Sequence, residues 1–488
     1  MNRPIVRVYV LVLLLFSTLV YFTSKWAVFD AEDLEAETAN RRPQIEEQQI
    51  PRGSITTSDG VLIAESHPVG GGRHPVYVRE YPEGSLFGHP VGYSFVDVER
   101  SGIELSENDL LIGEENEFAT IIDQLQSQEP EGADITLTLD AEAQGIATEG
   151  LQSVITDPES PGGALVAIEP DTGAVRVMAT VPGFDPNLAE NDEEFGQLRN
   201  AAGSPLLNRA TQSPYPPGST MKVVTAAAAL DSGEFEPDTV LNADSPKEIS
   251  GVDLQNSSGQ SFGDIDMTTA LTNSVNTYWA QVGEQLGTET MVEYMERFGF
   301  YSVPELDYPS DQMEESGVYS DNKLVREDFD VGRVAIGQGD AEGQVLATAL
   351  QMAEVAATVA NGGTLMKPTF LQEAKDPDGR TIEELDPDEQ SEVMSEETAA
   401  QLTEMMTNVT QEGTATGLQG DLPVVFAGKT GTAEIDLEGT NQPWFITFAP
   451  AEDPQIAVAA TIERCQSCFG GDTAGPIATA VMRSLLEG

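Results

Sequence analysis

The sequence predicts an α+β protein: one antiparallel sheet packed against a helical subdomain, preceded by a small front domain and one membrane-spanning helix. Three observations predict it. An apolar run opens the chain at residues 8–22. A strand-turn-strand pattern at 163–180 (GALVAIEPDTGAVRVMAT) is answered near the C-terminus by two further apolar strands, 443–449 and 455–462. Alanine-rich helical stretches, 220–231 and 346–360, lie between them. The length of 488 residues is enough for two or three domains with a sizeable core.

The elements follow in chain order. Arg3 and Arg7 precede the first run, and Lys25 and Trp26 follow it. This pattern keeps the N-terminus cytoplasmic and exports the rest. A cleaved signal peptide is the alternative, but no Ala-x-Ala site follows, which favours an uncleaved anchor over residues 1–26. Residues 27–50 are polar and acidic and read as a partly helical stalk. RGSITTSDGVLIA (52–64) reads as a hairpin turning at Asp59-Gly60. Residues 66–132 mix glycine, proline and acid with few long apolar runs and read as a small, irregular α+β domain. ITLTLD (135–140) alternates like a strand, and 141–155 has helical spacing. A last helix is expected over 474–486. The expected partition is anchor 1–26, front domain 27–157 and main domain 158–488.

Charge and rare residues exclude several functions. Lys and Arg number 24 against 82 Asp and Glu, a formal net charge of −58. An apolar share of 40% argues that the acid coats a folded surface. Such a surface repels nucleic acid, and adaptation to salt or high pH outside the cell explains it more simply than a cationic partner. The three histidines, His67, His74 and His89, all lie in the front quarter. A Ser-His-Asp triad within the main domain and a zinc hydrolase are therefore disfavoured. No metal or cofactor is expected. Cys465 and Cys468 read as a small local disulfide or two free thiols.

Lysine then becomes the leading base for any activated serine. Only seven lysines exist, and Lys222 follows Ser219 by three positions in YPPGSTMKVV (215–224). On a helix start the two side chains share one face. Burial of the apolar helix that follows lowers the lysine pKa, so the amine can accept a proton. Alone this spacing is weak: Ser320-Asp-Asn-Lys323 repeats it in an acidic loop with no apolar helix behind, and reads as a decoy. Ser274 and Asn276 open a buried run and would point into a cleft from a bend, or else form a helix cap. Lys429-Thr430-Gly431-Thr432 follows an apolar lead-in and offers a cation, two hydroxyls and a flat glycine, or else is an ordinary edge strand.

Together, S-x-x-K, S-x-N and K-T-G in this order are the set carried by penicillin-binding proteins and serine β-lactamases. The chain resembles the class B penicillin-binding proteins, and within them the penicillin-binding protein A group of actinobacteria. The resemblance runs nearly end to end. It takes in Arg52-Gly-Ser-Ile, residues 135–140, Asn208-Arg-Ala, 216–222, Gly337-Gln-Gly339, Ala360-Asn-Gly-Gly363 and Trp444-Phe445. It implies a penicillin-binding transpeptidase fold on an N-terminal pedestal, and a D,D-transpeptidase in cell-wall synthesis at division. By this resemblance Ser219 attacks between two terminal D-alanines of a peptidoglycan stem peptide, and Lys222 takes its proton. Ser274 relays a proton to the leaving D-alanine, Asn276 holds the substrate amide, and Lys429 supplies charge. Thr430 and Thr432 bind the carboxylate along the Gly431 strand, and the N–H groups of Ser219 and Thr432 form an oxyanion hole. An amine from a neighbouring stem then accepts the acyl group, and β-lactams are mimics that acylate Ser219. With no glycosyltransferase region apparent, a membrane glycan polymerase of the SEDS family is the implied partner. A D,D-carboxypeptidase or β-lactamase, and a non-catalytic penicillin-binding scaffold or sensor, are the alternatives.

Overall fold

The computed structural model describes residues 3–26, 45, 47–70, 75–96, 98–113, 131–155, 162–340, 342–435 and 439–487. Most of the expected stalk, and His74, lie outside these. Helix α1 (Arg3–Ser24) is long and apolar enough to cross a membrane, and its side chains are exposed along its whole length.

The front region begins with strands β1 (Ile55–Thr56) and β2 (Leu62–Val69), paired antiparallel as the Asp59-Gly60 turn predicts. Gly60 adopts φ +85°, a conformation glycine reaches without steric cost. β3 (Val76–Glu80) extends this hairpin, and β4 (Asp134–Leu137) pairs parallel to β1. Arg52 and Arg79 converge on the fully buried Glu104, at 2.8 and 2.6 Å. Burial opposes its charge, but the two guanidinium groups outweigh it and hold Glu104 at about 2.

The main region runs α2 (Ala141–Val154), β5 (Gly163–Ile168) and β6 (Val175–Val181). Asp140 caps α2, its carboxylate accepting from Ala143 N at 2.8 Å. Helix α3 (Lys222–Asp231), the broken pair α4 (Met267–Thr272) and α5 (Asn276–Arg297), and α6 (Ala349–Ala360) follow. Next come β7 (Leu371–Lys375), β8 (Thr381–Glu384) and α7 (Glu396–Gln411). The chain ends with β9 (Ala427–Glu434), β10 (Thr440–Ala449), β11 (Ile456–Ile462), β12 (Cys465–Gln466) and α8 (Gly470–Glu487).

The main sheet is antiparallel in the order β9-β10-β11-β5-β6, with β12 paired to β10. β5 and β11 are buried at every position, so both faces must be covered. α2 and α8 pack on the sheet and on each other, and α6 also covers β5 and β11. Beside this sheet, α3 packs against α5 and α7 as the helical subdomain.

Several boundaries and one pairing differ from the sequence reading: β10 opens three residues earlier than expected, at Thr440, and α3 two residues later, at Lys222. α6 starts at Ala349 because Gln344–Leu346 pairs with Gly317–Ser320, and Thr348 caps the helix through Gln351 N. α8 starts four residues earlier than expected, at Gly470. The front sheet is ordered β8-β7-β4-β1-β2-β3, so two of its six strands, β7 and β8, come from late in the chain. The half-buried Asp307 fixes that crossing by accepting from Phe370 N at 2.7 Å and Leu371 N at 2.8 Å.

Candidate active site

The Pro216-Pro217-Gly218 turn brings Ser219 to the edge strand β9. Gly218 has φ +54°, and a Cβ there would stand 2.9 Å from Ala433 N and from the carbonyl carbon of Thr432. A Cβ on Gly337 would lie 1.8 Å from Gly218 O. Only glycine permits this close approach. Trp444 Nε1 donates to Pro216 O at 2.9 Å and closes the turn from behind.

One 3₁₀ turn, Gly218–Met221, leads into α3. It puts Ser219 and Lys222 on one face, with Lys222 Nζ 2.9 Å from Ser219 Oγ. Ser219 is partly exposed, whereas Lys222 is fully buried. The other neighbours of its amine are Ser274 O at 2.8 Å, Ser274 Oγ at 3.2 Å and Asn276 Oδ1 at 2.7 Å. Burial, and then the nearby Lys429 charge, push the Lys222 pKa far below that of an exposed lysine.

The S-x-N residues occupy the break between α4 and α5, as the bend reading requires. Ser274 takes φ +56°, a region non-glycine residues rarely adopt, and Asn276 opens α5. Asn276 Nδ2 donates to Gln255 O at 3.1 Å, which fixes the amide with its oxygen toward Lys222. Ser274 Oγ thus lies between two amines, since Lys429 Nζ donates to it at 2.9 Å.

K-T-G lies on β9, the edge of the main sheet. Lys429 is fully buried, and burial lowers its pKa to about 7. A Cβ on Gly431 would meet Pro217 O at 2.8 Å and Thr220 Cγ2 at 2.9 Å, so the bare strand and the serine turn are in van der Waals contact. An edge strand keeps one side of its backbone free to pair with an extended peptide.

The structure brings together every residue singled out from the sequence: Ser219, Lys222, Ser274, Asn276, Lys429, Thr430, Gly431 and Thr432. It adds partners the sequence reading did not name. Thr414 Oγ1 is 2.6 Å from Thr430 Oγ1, and Gly470 N donates to Thr432 Oγ1 at 3.3 Å. Gly337 and Trp444 were visible as parts of the resemblance, but with no role attached. Thr414 sits in a polar loop and carries no sequence signal. The second S-x-x-K match is a hairpin: Ser320 pairs with Lys323 across Asp321 and Asn322, which have φ +49° and +59°. The buried His89 bonds Pro205 O at 3.0 Å, and its pKa falls to about 4 through burial.

A partly exposed serine beside a buried, depressed lysine, at the edge of an antiparallel sheet, defines a serine–lysine acyl-transfer enzyme. Residues 163–483 match the Penicillin binding protein transpeptidase domain family, and residues 52–135 match the Penicillin binding protein A dimerisation domain. The chain is 33% identical over 510 residues to the peptidoglycan D,D-transpeptidase PbpA of Mycolicibacterium smegmatis, covering 100% of this chain and 99% of the relative. It is 32% identical over 511 residues to PbpA of Mycobacterium tuberculosis, covering 100% of both. Penicillin-binding protein A from M. tuberculosis, solved as a ceftriaxone acyl-enzyme complex, matches with a TM-score of 0.79 at 30% identity, over 91% of this chain and 100% of that one. The D,D-transpeptidase domain of a peptidoglycan glycosyltransferase from Eggerthella lenta matches with a TM-score of 0.76 at 30% identity, over 90% of this chain and 99% of that one. The protein belongs to the penicillin-binding protein transpeptidase family.

Proposed function

We propose that this protein is a membrane-anchored peptidoglycan D,D-transpeptidase that works through a Ser219 acyl-enzyme. The observation that carries the reading is the Lys222 amine, fully buried and 2.9 Å from Ser219 Oγ. Neutral Lys222 takes the hydroxyl proton as Ser219 attacks the carbonyl between two terminal D-alanines. Ser274 Oγ, between the two amines, passes a proton to the departing D-alanine nitrogen as the C–N bond breaks. Asn276 orients the substrate amide. Lys429, Thr430 and Thr432 hold the terminal carboxylate, Gly431 lets the peptide lie close along β9, and the N–H groups of Ser219 and Thr432 face the oxyanion. The amine of a second stem peptide then attacks the ester, restoring Ser219 and forming the cross-link. A bound carboxylate raises the pKa of Lys429, so substrate restores the charge that burial removes.

Of the expected anchor (1–26), pedestal (27–157) and transpeptidase domain (158–488), the last two contain the family matches at 52–135 and 163–483, but α2 packs on the main sheet and on α8, so the boundary is better drawn before Ala141. α1 holds the chain in the cell membrane with its bulk outside the cytoplasm. A SEDS-family glycan polymerase is the partner that supplies strands to cross-link, and the work is done at division.

Intact-protein mass after benzylpenicillin, with Ser219→Ala alongside, tests this. A lasting adduct of one whole penicillin, absent from the variant, is the expected outcome. Penicillin consumed with a vanishing adduct makes the protein a β-lactamase. No adduct at all overturns the enzyme.

A further inference from the structure

The sequence left the Cys465 and Cys468 pair open, and the mechanism makes no use of it. The two are bridged, with Cα atoms 5.5 Å apart. Around them the chain is tied to the β9–β10 hairpin. Cys465 pairs with Asn441 in the β12–β10 ladder, Ser467 N donates to Gly439 O at 2.9 Å, and Asn441 Nδ2 donates to Cys468 O at 3.0 Å. Two non-glycine residues here, Arg464 at φ +49° and Ser467 at φ +55°, hold left-handed conformations. Such conformations persist only where the surroundings enforce them.

This loop runs directly into α8. Gly470, two residues past Cys468, is wedged so tightly that a Cβ would stand 2.0 Å from Trp444 O and 2.4 Å from Gly431 O. Gly470 N donates to Thr432 Oγ1, and a Cβ on the next residue, Gly471, would lie 3.3 Å from Thr430 Cγ2. The first turn of α8 therefore touches all three residues after Lys429. A helix start frays unless something holds it.

We propose that the Cys465–Cys468 bridge is a positioning element for the carboxylate end of the active site, seating the first turn of α8 against Thr432. This rests on the transpeptidase reading. Without the bridge, Arg464 and Ser467 relax, Gly470 withdraws its N–H, and the Thr432 hydroxyl is no longer aimed at the carboxylate.

The test uses the full chain in detergent, with Cys465→Ser/Cys468→Ser compared against wild type. The second-order acylation rate is measured with benzylpenicillin and with its methyl ester, which lacks the free carboxylate. The variant is expected to lose about three- to tenfold in rate with benzylpenicillin, the worth of one hydrogen bond, and to match wild type with the ester. An unchanged rate with benzylpenicillin, or an equal loss with both compounds, overturns the proposal. Should the variant not fold, wild type treated with dithiothreitol serves instead; two electrons pass to the bridge, leaving two thiols and a cyclic disulfide, and circular dichroism verifies that the domain is intact. Wild type that takes no acyl group from benzylpenicillin refutes the transpeptidase reading itself, and is distinguishable from every outcome above.

Discussion

Lys222 and Lys429 are both fully buried, and among the described residues neither forms a salt bridge. Each costs stability in its charged form, and the sign can be worked out. Both folded pKa values lie below the ordinary lysine value. Between the folded value and about 10.4 the unfolded chain binds more protons, so stability rises with pH across that window. The destabilisation is complete below about 7 for Lys429. Lys429→Met should therefore raise stability near neutral pH, with the gain vanishing in alkali, while acylation is lost. Thermal unfolding at several pH values, read beside benzylpenicillin acylation, checks both halves. The acylation rate of wild type should fall with acid as Lys222 gains a proton, and its rising limb should lie well below the range where an exposed lysine titrates. A rate that rises only above about pH 10 would remove Lys222 as the base.

At the scale of elements, the serine turn is held in place by glycines. Gly337→Ala puts a Cβ against Gly218 O and must displace Ser219. A loss of about 100-fold in acylation rate is expected, since displacements near 1 Å cost that much. Ser320→Ala, at the look-alike motif, should leave the rate unchanged. Stopped-flow acylation of both variants decides between a site built on Ser219 and one built on spacing alone. The active elements were legible because their signals are local. One turn of helix fixes Ser219 on Lys222, a polar pair at the start of an apolar run betrays the Ser274 break, and an apolar lead-in announces β9. Thr414 was not legible, because a single hydroxyl in a polar loop has neither period nor motif. The start of α6 was misplaced because the short strand at Gln344–Leu346 exists only through its partner at Gly317–Ser320.

Across the whole molecule, acid dominates. β8 is exposed at every position and carries two glutamates, and the single buried acid of the Arg52–Arg79 cluster is fully compensated. Surface repulsion of this size weakens as salt shortens the screening length from about 10 Å at 0.1 M to about 3 Å at 1 M. The unfolding temperature should therefore climb steadily with sodium chloride. A flat curve from low to multimolar salt would end the idea of salt adaptation. The sequence revealed the two hairpins that begin the front and main regions, but not that the front sheet needs β7 and β8. No local pattern can reveal a pairing between segments so far apart in the chain.

That late completion bears on how the protein is made. When β4 leaves the ribosome, the strand that will cover its open edge has not yet been translated. At ordinary synthesis rates the gap lasts on the order of ten seconds. Throughout that interval the nascent chain presents an unpaired β4 edge. On the membrane-anchored reading proposed above, factors that shield such edges should bind the nascent chain early and let go only once residue 384 has emerged, which crosslinking to stalled chains of increasing length would check.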